Sequence, residues 1–203
     1  FYIKKVMGTD DPIKLDGFLK EGLGFFSDTA RLDTLREIIV SKLNSSLDTP
    51  QAPVLLLWEG KVLTLQSSYN LAAESLKRVI EEYTADEYLS SAAAPSALYE
   101  LAVMRWKHSE AAEEARALLN SLVETWPSSA NIPAASAALV ELEALDRLTV
   151  IAGKLSEEEE SKNEEDKGEP SREVLTGEAR LMERIELLTE GADICTNSLR
   201  MPG

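Results

Sequence analysis

A stretch at residues 95–127 constrains the fold most, because it has the pattern of two antiparallel helices joined by a tight turn. Residues 53–83 can be laid over it as a second copy. Apolar and small side chains recur every three or four residues in both copies, which is the helical period. The equivalent residues Ala72 and Ala115 are 43 positions apart. Repeated helix pairs stack side by side, so the sequence predicts an all-α helical-repeat solenoid.

The recurring residues, among them Gly60 and Ala72 in the earlier copy and Trp106 and Ala115 in the later one, resemble those of the tetratricopeptide repeat, and this resemblance implies a right-handed solenoid. That repeat places a large and a small residue on its first helix, and an Ala followed by an apolar residue on its second. In the earlier copy the matching residues are Leu56, Gly60, Leu63, Ala72 and Leu76. In the later copy they are Tyr99, Trp106, Ala115, Leu119 and Pro127, with the small residue displaced by one position to Ala102. The earlier copy departs from the pattern at Thr84, where the repeat ends in Pro.

The spacing of the two copies exceeds the usual tetratricopeptide period of about 34 residues. The excess lies in a long connection at residues 84–95, which is followed by the segment SALYELAVMRW. This arrangement is similar to the last repeats of a family containing fungal inclusion-body clearance proteins and animal tetratricopeptide relatives. The narrower resemblance implies a cytosolic protein, at the periphery of mitochondria or lipid droplets, that acts through protein contacts.

The regions on either side of the repeats (residues 51–150) differ from them. Residues 1–50 predict an N-terminal helical pair, in which Asp11 and Pro12 start a helix that Gly22 and Gly24 end. Residues 156–171 hold eight acids, two lysines and no apolar residue, so we predict a disordered acidic linker over 151–171. A regulatory role through Ser156, Ser161 and Ser171 stays open. Residues 172–203 predict a C-terminal helix that docks on the solenoid as a cap, with the seam Leu181, Ile185, Leu188, Ala192, Cys195 and Leu199.

Charge and composition exclude several classes of partner. The net charge of −15 argues against nucleic acid, because binding to phosphates needs a basic surface. No apolar run approaches the roughly 20 residues of a membrane span. A single cysteine excludes an internal disulfide and suits a cytoplasmic, reducing compartment. We recognise no signal peptide, and a chain that starts at Phe1 is compatible with further sequence upstream.

No residue pattern of an enzyme is recognisable, so we expect no catalytic residue, no cofactor and no metal. His108 is the only histidine, and we interpret it as an exposed residue in the turn of the later copy. A zinc site needs several His or Cys ligands, and the chain has one of each. Neither a phosphate-binding glycine loop nor a nucleophile elbow is present. Cys195 lies on an apolar seam and is interpreted as a buried hydrophobic residue.

In a tetratricopeptide domain the first helix of each pair lines a concave groove. The resemblance therefore implies a protein-binding groove, for which we predict the residues Leu57, Lys61, Thr64, Glu100, Met104 and Lys107. The mixture of apolar and charged residues suits an amphipathic helix or an extended peptide. We expect a non-catalytic scaffold or adaptor that binds protein. The alternative is a structural subunit of a larger multiprotein assembly, in which these faces are permanently buried.

Overall fold

The computed structural model describes residues 2–28, 31–83, 92–109 and 111–165, and these residues contain helices and no strand. The chain divides into two compact units, residues 1–136 and 137–203. The all-α fold class is therefore confirmed for the described part of the chain. The helices are α1 (Tyr2–Gly8), α2 (Pro12–Asp28), α3 (Leu32–Leu43), α4 (Ala52–Leu65), α5 (Tyr69–Glu82), α6 (Ala93–Ser109), α7 (Ala112–Thr125) and α8 (Ile132–Glu165). None of these described helices is both long and apolar enough to span a bilayer.

Helix α4 lies at the centre of the first unit. It contacts α2, α3, α5 and α6, so almost every side of it is covered by protein. Its sequence suits this position, because the run PVLLLW leaves no polar face in its first two turns. Pro53 stands in its first turn, where a missing backbone N–H costs nothing. The apolar run in α4 is therefore explained by burial inside the protein.

Consecutive helices pack in pairs, α4 against α5 and α6 against α7. Only three residues separate α4 from α5, so the two helices must run in opposite directions. Gly60 is buried where they approach closely: an added Cβ atom would lie 2.7 Å from the Leu76 side chain and 3.4 Å from the Ala72 carbonyl oxygen. Small residues allow this approach. The α5 helix also contacts α6, which links the two pairs.

The N-terminal region follows its local signals at the start of α2 but not at its end. The Asp11 carboxylate accepts hydrogen bonds from the backbone N–H groups of Ile13 and Lys14, which confirms it as an N-cap. Gly22 and Gly24 do not end the helix, which continues to Asp28, so that prediction is wrong. The reason is tertiary: the Tyr2 ring lies against Gly22, in space that a Cβ atom would fill.

Tyr2 belongs to α1, a short helix that precedes the predicted pair. Its hydroxyl donates a hydrogen bond of 2.9 Å to the Phe18 carbonyl oxygen of α2. Burial, with a smaller contribution from the Glu21 carboxylate, raises the pKa of the Tyr2 phenol to about 12. Burial also raises the pKa of Tyr83, whose hydroxyl donates to the Leu47 carbonyl oxygen at 3.1 Å. Each tyrosine thereby joins two segments of the first unit.

Helix α8 replaces part of the predicted acidic linker. The sequence predicts disorder over 151–171, but α8 is continuous from Ile132 to Glu165, so this prediction is wrong for residues 151–165. Glu and Lys dominate this stretch, and both favour the helical backbone even where no apolar face is available. Residues 166–171 and the predicted C-terminal helix at 172–203 lie outside the described residues.

Candidate protein-binding groove

A cavity of about 450 Å³ opens between α2, α4 and α6 in the first unit. Helix α4 contacts both α2 and α6, so it lies between them and forms the floor. Three residues that line the cavity are partly exposed and belong to the predicted groove: Lys61, Thr64 and Glu100. The full lining consists of Asp16, Lys20, Leu23, Leu57, Trp58, Lys61, Thr64, Leu65, Ser96 and Glu100.

The predicted groove residues of α4 and α6 do not all reach this cavity. Leu57 lines it but is only 3% exposed, whereas Thr64 remains partly open. Met104 is buried, and its sulfur lies 3.7 Å from the Thr64 hydroxyl, so it fills the contact between the two helices. Lys107 is exposed and does not line the cavity. Its ammonium group instead lies 5.6 Å from the ring centre of Trp106.

Helix α2 supplies a wall of the groove that the sequence analysis missed. Leu15, Leu19 and Gly22 recur at the helical period and are buried. The next residue after each of these is Asp16, Lys20 and Leu23, respectively. This second set therefore occupies the adjacent face of α2. This second stripe is visible in the sequence. Its partner helix is not, because α2 and α4 meet only in the folded chain.

A hydrogen bond from Trp58 connects α4, the floor of the groove, to the wall formed by α2. The indole N–H of Trp58 donates a hydrogen bond of 2.7 Å to the Asp16 carboxylate, across 42 residues of sequence. The side chain is 4% exposed, so the hydrogen bond joins a buried donor to an ionised acceptor. Charge-assisted hydrogen bonds of this kind are short and stronger than neutral ones. Trp58 therefore holds α2 and α4 at a defined separation.

Lys61 connects the floor to the opposite wall. Its ammonium group lies 3.1 Å from a Glu100 carboxylate oxygen on α6 and 4.7 Å from the ring centre of Trp58. The two charged side chains are 24% and 34% exposed, so water reaches this ion pair. Together with the hydrogen bond from Trp58 to Asp16, these contacts form a chain of polar interactions across the groove.

Two other cavities have a different character. A depression of about 690 Å³ is lined by Asp33, Arg36, Glu37, Val40, Ser41 and Asn44. All of these residues belong to α3 or its C-terminal cap, so the depression follows the surface of one helix. Another cavity, of about 400 Å³, lies between residues 92–95 and 125–130. Its lining consists of Ala, Pro, Ser, Thr and Trp residues and contains no charged side chain. Neither combines charged groups from several helices.

No catalytic centre is apparent among the described residues. His108 is exposed, and its ring stacks on Tyr69 with 4.5 Å between ring centres and 13° between ring planes. None of the described carboxylates forms an ion pair with it. Within the same part of the chain, no group of three or more His, Cys, Asp or Glu residues could hold a metal ion. Cys195 lies outside the described residues.

No protein-family model matches the chain, and neither a curated protein nor a solved structure is significantly similar to it. Membership of the tetratricopeptide family therefore stays a prediction. The properties of the groove rest on the chain's own residues.

Proposed function

We propose that this protein is a non-catalytic scaffold that binds a peptide or helix of a partner protein in the groove between α2, α4 and α6. One observation carries the proposal. Lys61, Thr64 and Glu100 were predicted as groove residues from their repeat positions, and they line one cavity with partly exposed side chains. Ligand sites are concave and combine apolar surface with a few polar groups, which describes this lining.

The exposure of the lining favours a protein segment as the ligand, because several side chains on three helices can be reached from solvent. Lys20 and Leu65 are exposed, and Lys61, Thr64 and Glu100 are partly exposed. Amphipathic helices and extended peptides bind such surfaces through apolar anchors with polar contacts on either side. Leu65, which lines the cavity, is 54% exposed and offers such an apolar contact.

We further propose that α4–α5 and α6–α7 are tetratricopeptide-like pairs in a right-handed solenoid. The close contact of Gly60 with Leu76 and the Ala72 carbonyl oxygen supports this. In that repeat, Gly60 matches the small residue of the first helix, and Ala72 and Leu76 match the Ala and the apolar residue of the second. Ala102 and Ala115, the small residues of the later copy, are both buried. An experimental structure tests the assignment: the two pairs should superpose as consecutive units with a constant right-handed rotation.

A display experiment tests the binding function. Peptides selected on the purified chain should lose at least about tenfold in affinity when Ser96, which lines the groove, is changed to Trp, since the large ring would occupy the cavity. Ser121→Trp is the matched control, because Ser121 is exposed on α7 and does not line the cavity. Circular dichroism checks that both variants fold. Equal binding to both variants contradicts a function for this groove.

The alternative, a structural subunit of a larger assembly, is favoured by exposed apolar side chains. On α8, Val140, Leu145 and Val150 are 39%, 48% and 60% exposed. Isolated apolar residues are common on surfaces, so only a contiguous patch would mark a permanent interface. Light scattering on the isolated chain separates the two functions: a free scaffold stays monomeric, whereas an assembly subunit without its partners aggregates.

A further inference from the structure

The lining of the groove contains one charged side chain that forms neither a hydrogen bond nor an ion pair with the described residues. Asp16 accepts the hydrogen bond from Trp58, and Lys61 pairs with Glu100. Lys20 is exposed and forms no hydrogen bond or ion pair within the described ranges. A partner that enters the groove therefore meets an available ammonium group on the α2 wall without breaking any contact there.

The surroundings of the groove do not oppose an acidic ligand, although the chain carries a net charge of −15. Basic residues on α2, α4 and α6 equal the acidic ones in number, so the three helices that form the groove are neutral together. The excess negative charge lies on other parts of the chain, including α7 and the second half of α8. Physiological salt screens exposed charges beyond about 8 Å, so only acids within that distance of the groove would repel a ligand appreciably.

Lys61 can provide a second cation, because its present partner is replaceable. The distance of 3.1 Å to Glu100 is that of an ion pair, but both side chains remain in contact with water. Ion pairs in such surroundings contribute little stability, so exchanging one carboxylate for another costs little. The Lys61 ammonium group also lies 4.7 Å from the ring centre of Trp58, and this contact does not involve Glu100.

We propose that the groove binds an internal protein segment that presents a carboxylate side chain beside an apolar one, and that Glu100 is an internal competitor for this carboxylate. Lys20 receives the acidic side chain, Leu23 and Leu65 contact its apolar neighbour, and Lys61 exchanges Glu100 for the ligand. This inference rests on the proposed function. It adds the chemistry of the partner and a residue that lowers affinity for it.

The probes are terminally blocked, fluorescein-labelled helical peptides with a Leu-rich face. In three versions, the positions beside that face carry Glu, Gln or Lys, and fluorescence anisotropy measures their binding to the full chain. We expect the Glu peptide to bind about tenfold more tightly than the Gln peptide, and the Lys peptide to bind most weakly. Blocked termini ensure that only side-chain carboxylates contribute.

Variants of the chain separate the roles of the three charged residues. Lys20→Gln should weaken binding of the Glu peptide and leave the Gln peptide nearly unchanged. Glu100→Gln should tighten binding of the Glu peptide by about twofold to fivefold, since it releases Lys61. Glu74→Gln removes an exposed carboxylate from α5, outside the groove, and should change neither affinity. Circular dichroism verifies that each variant keeps its helical content.

The outcomes distinguish the inference from the proposed function. If all three peptides bind equally and Ser96→Trp abolishes their binding, the groove is a binding site and the inferred chemistry is wrong. A Glu100→Gln variant that binds the Glu peptide no more tightly than wild type also overturns the role of Glu100. If none of the peptides binds and display selects no groove-dependent ligand, both proposals fail.

Discussion

The close contact between α4 and α5 predicts that Gly60→Ala destabilises the protein, although Ala is the better helix former. Gly60 lies in the middle of α4, and an added Cβ atom would approach Cγ and Cδ2 of Leu76 to 2.7 Å. Carbon atoms in favourable contact are about 3.5–4.0 Å apart, so the new methyl group would be roughly 1 Å too close. Leu76 is fully buried and its neighbours restrict its movement.

Two opposing effects set the magnitude of this change. Replacing Gly by Ala in a helix interior stabilises by about 1 kcal/mol, because Gly loses more backbone entropy on folding. Overpacking a closely packed core costs about 1–3 kcal/mol. The net change in the free energy of unfolding should therefore lie between about zero and 2 kcal/mol of destabilisation.

Gly17→Ala is the matched control for this substitution. Gly17 also lies inside a helix, but it is exposed and an added Cβ atom would meet nothing within 4 Å. Only the entropic effect remains, so Gly17→Ala should stabilise by about 0.5–1 kcal/mol. Urea denaturation followed by circular dichroism measures both variants. If Gly60→Ala stabilises the chain as much as Gly17→Ala does, the inferred close contact of α4 and α5 is refuted.

Three further predictions concern a helix end, the groove and a partly buried tyrosine. Ser67 follows α4 with φ 58°, in the left-handed region, so Ser67→Gly should raise the free energy of unfolding by about 0.5–1 kcal/mol in urea denaturation. Asp16→Ala should lower the free energy of unfolding by about 1–3 kcal/mol and alter the tryptophan fluorescence of the chain, because the buried indole N–H of Trp58 loses its acceptor. Unchanged emission would contradict that hydrogen bond. The pKa of Tyr2 is raised from 10.0 to about 12, so its folded form binds more protons than its unfolded form between these values. Its contribution to stability is complete below pH 10 and is lost as pH rises towards 12, and Tyr2→Phe should remove this part of the alkaline destabilisation in pH-dependent urea titrations.

Local signals in the sequence determined the class of structure and several helix boundaries. The 3.6-residue spacing of apolar residues predicts helices, and the described residues form helices and no strand. Asp11 acts as a cap because its side chain needs only backbone N–H groups two and three residues ahead. The apolar run at the start of α4 indicates a helix covered on all sides. Such features depend on neighbours along the chain, so they can be predicted from sequence.

Three of the residues predicted for the groove line one cavity. Lys61, Thr64 and Glu100 lie together there because α4 packs against α6. Met104 is predicted for the groove as well, yet it is buried. The distance between α4 and α6 decides whether a side chain faces the groove or fills the contact, and periodicity alone does not specify that distance.

Tertiary packing alone decided the rest. Gly22 has the appearance of a helix stop, but it provides the space into which Tyr2 packs. Asp16 has no special sequence context, and it becomes part of the groove only when Trp58 donates to it across 42 residues. Helix starts and faces follow from short-range chemistry. Which faces meet depends on contacts between residues far apart in the chain, and these contacts formed the α2 wall, with its available Lys20.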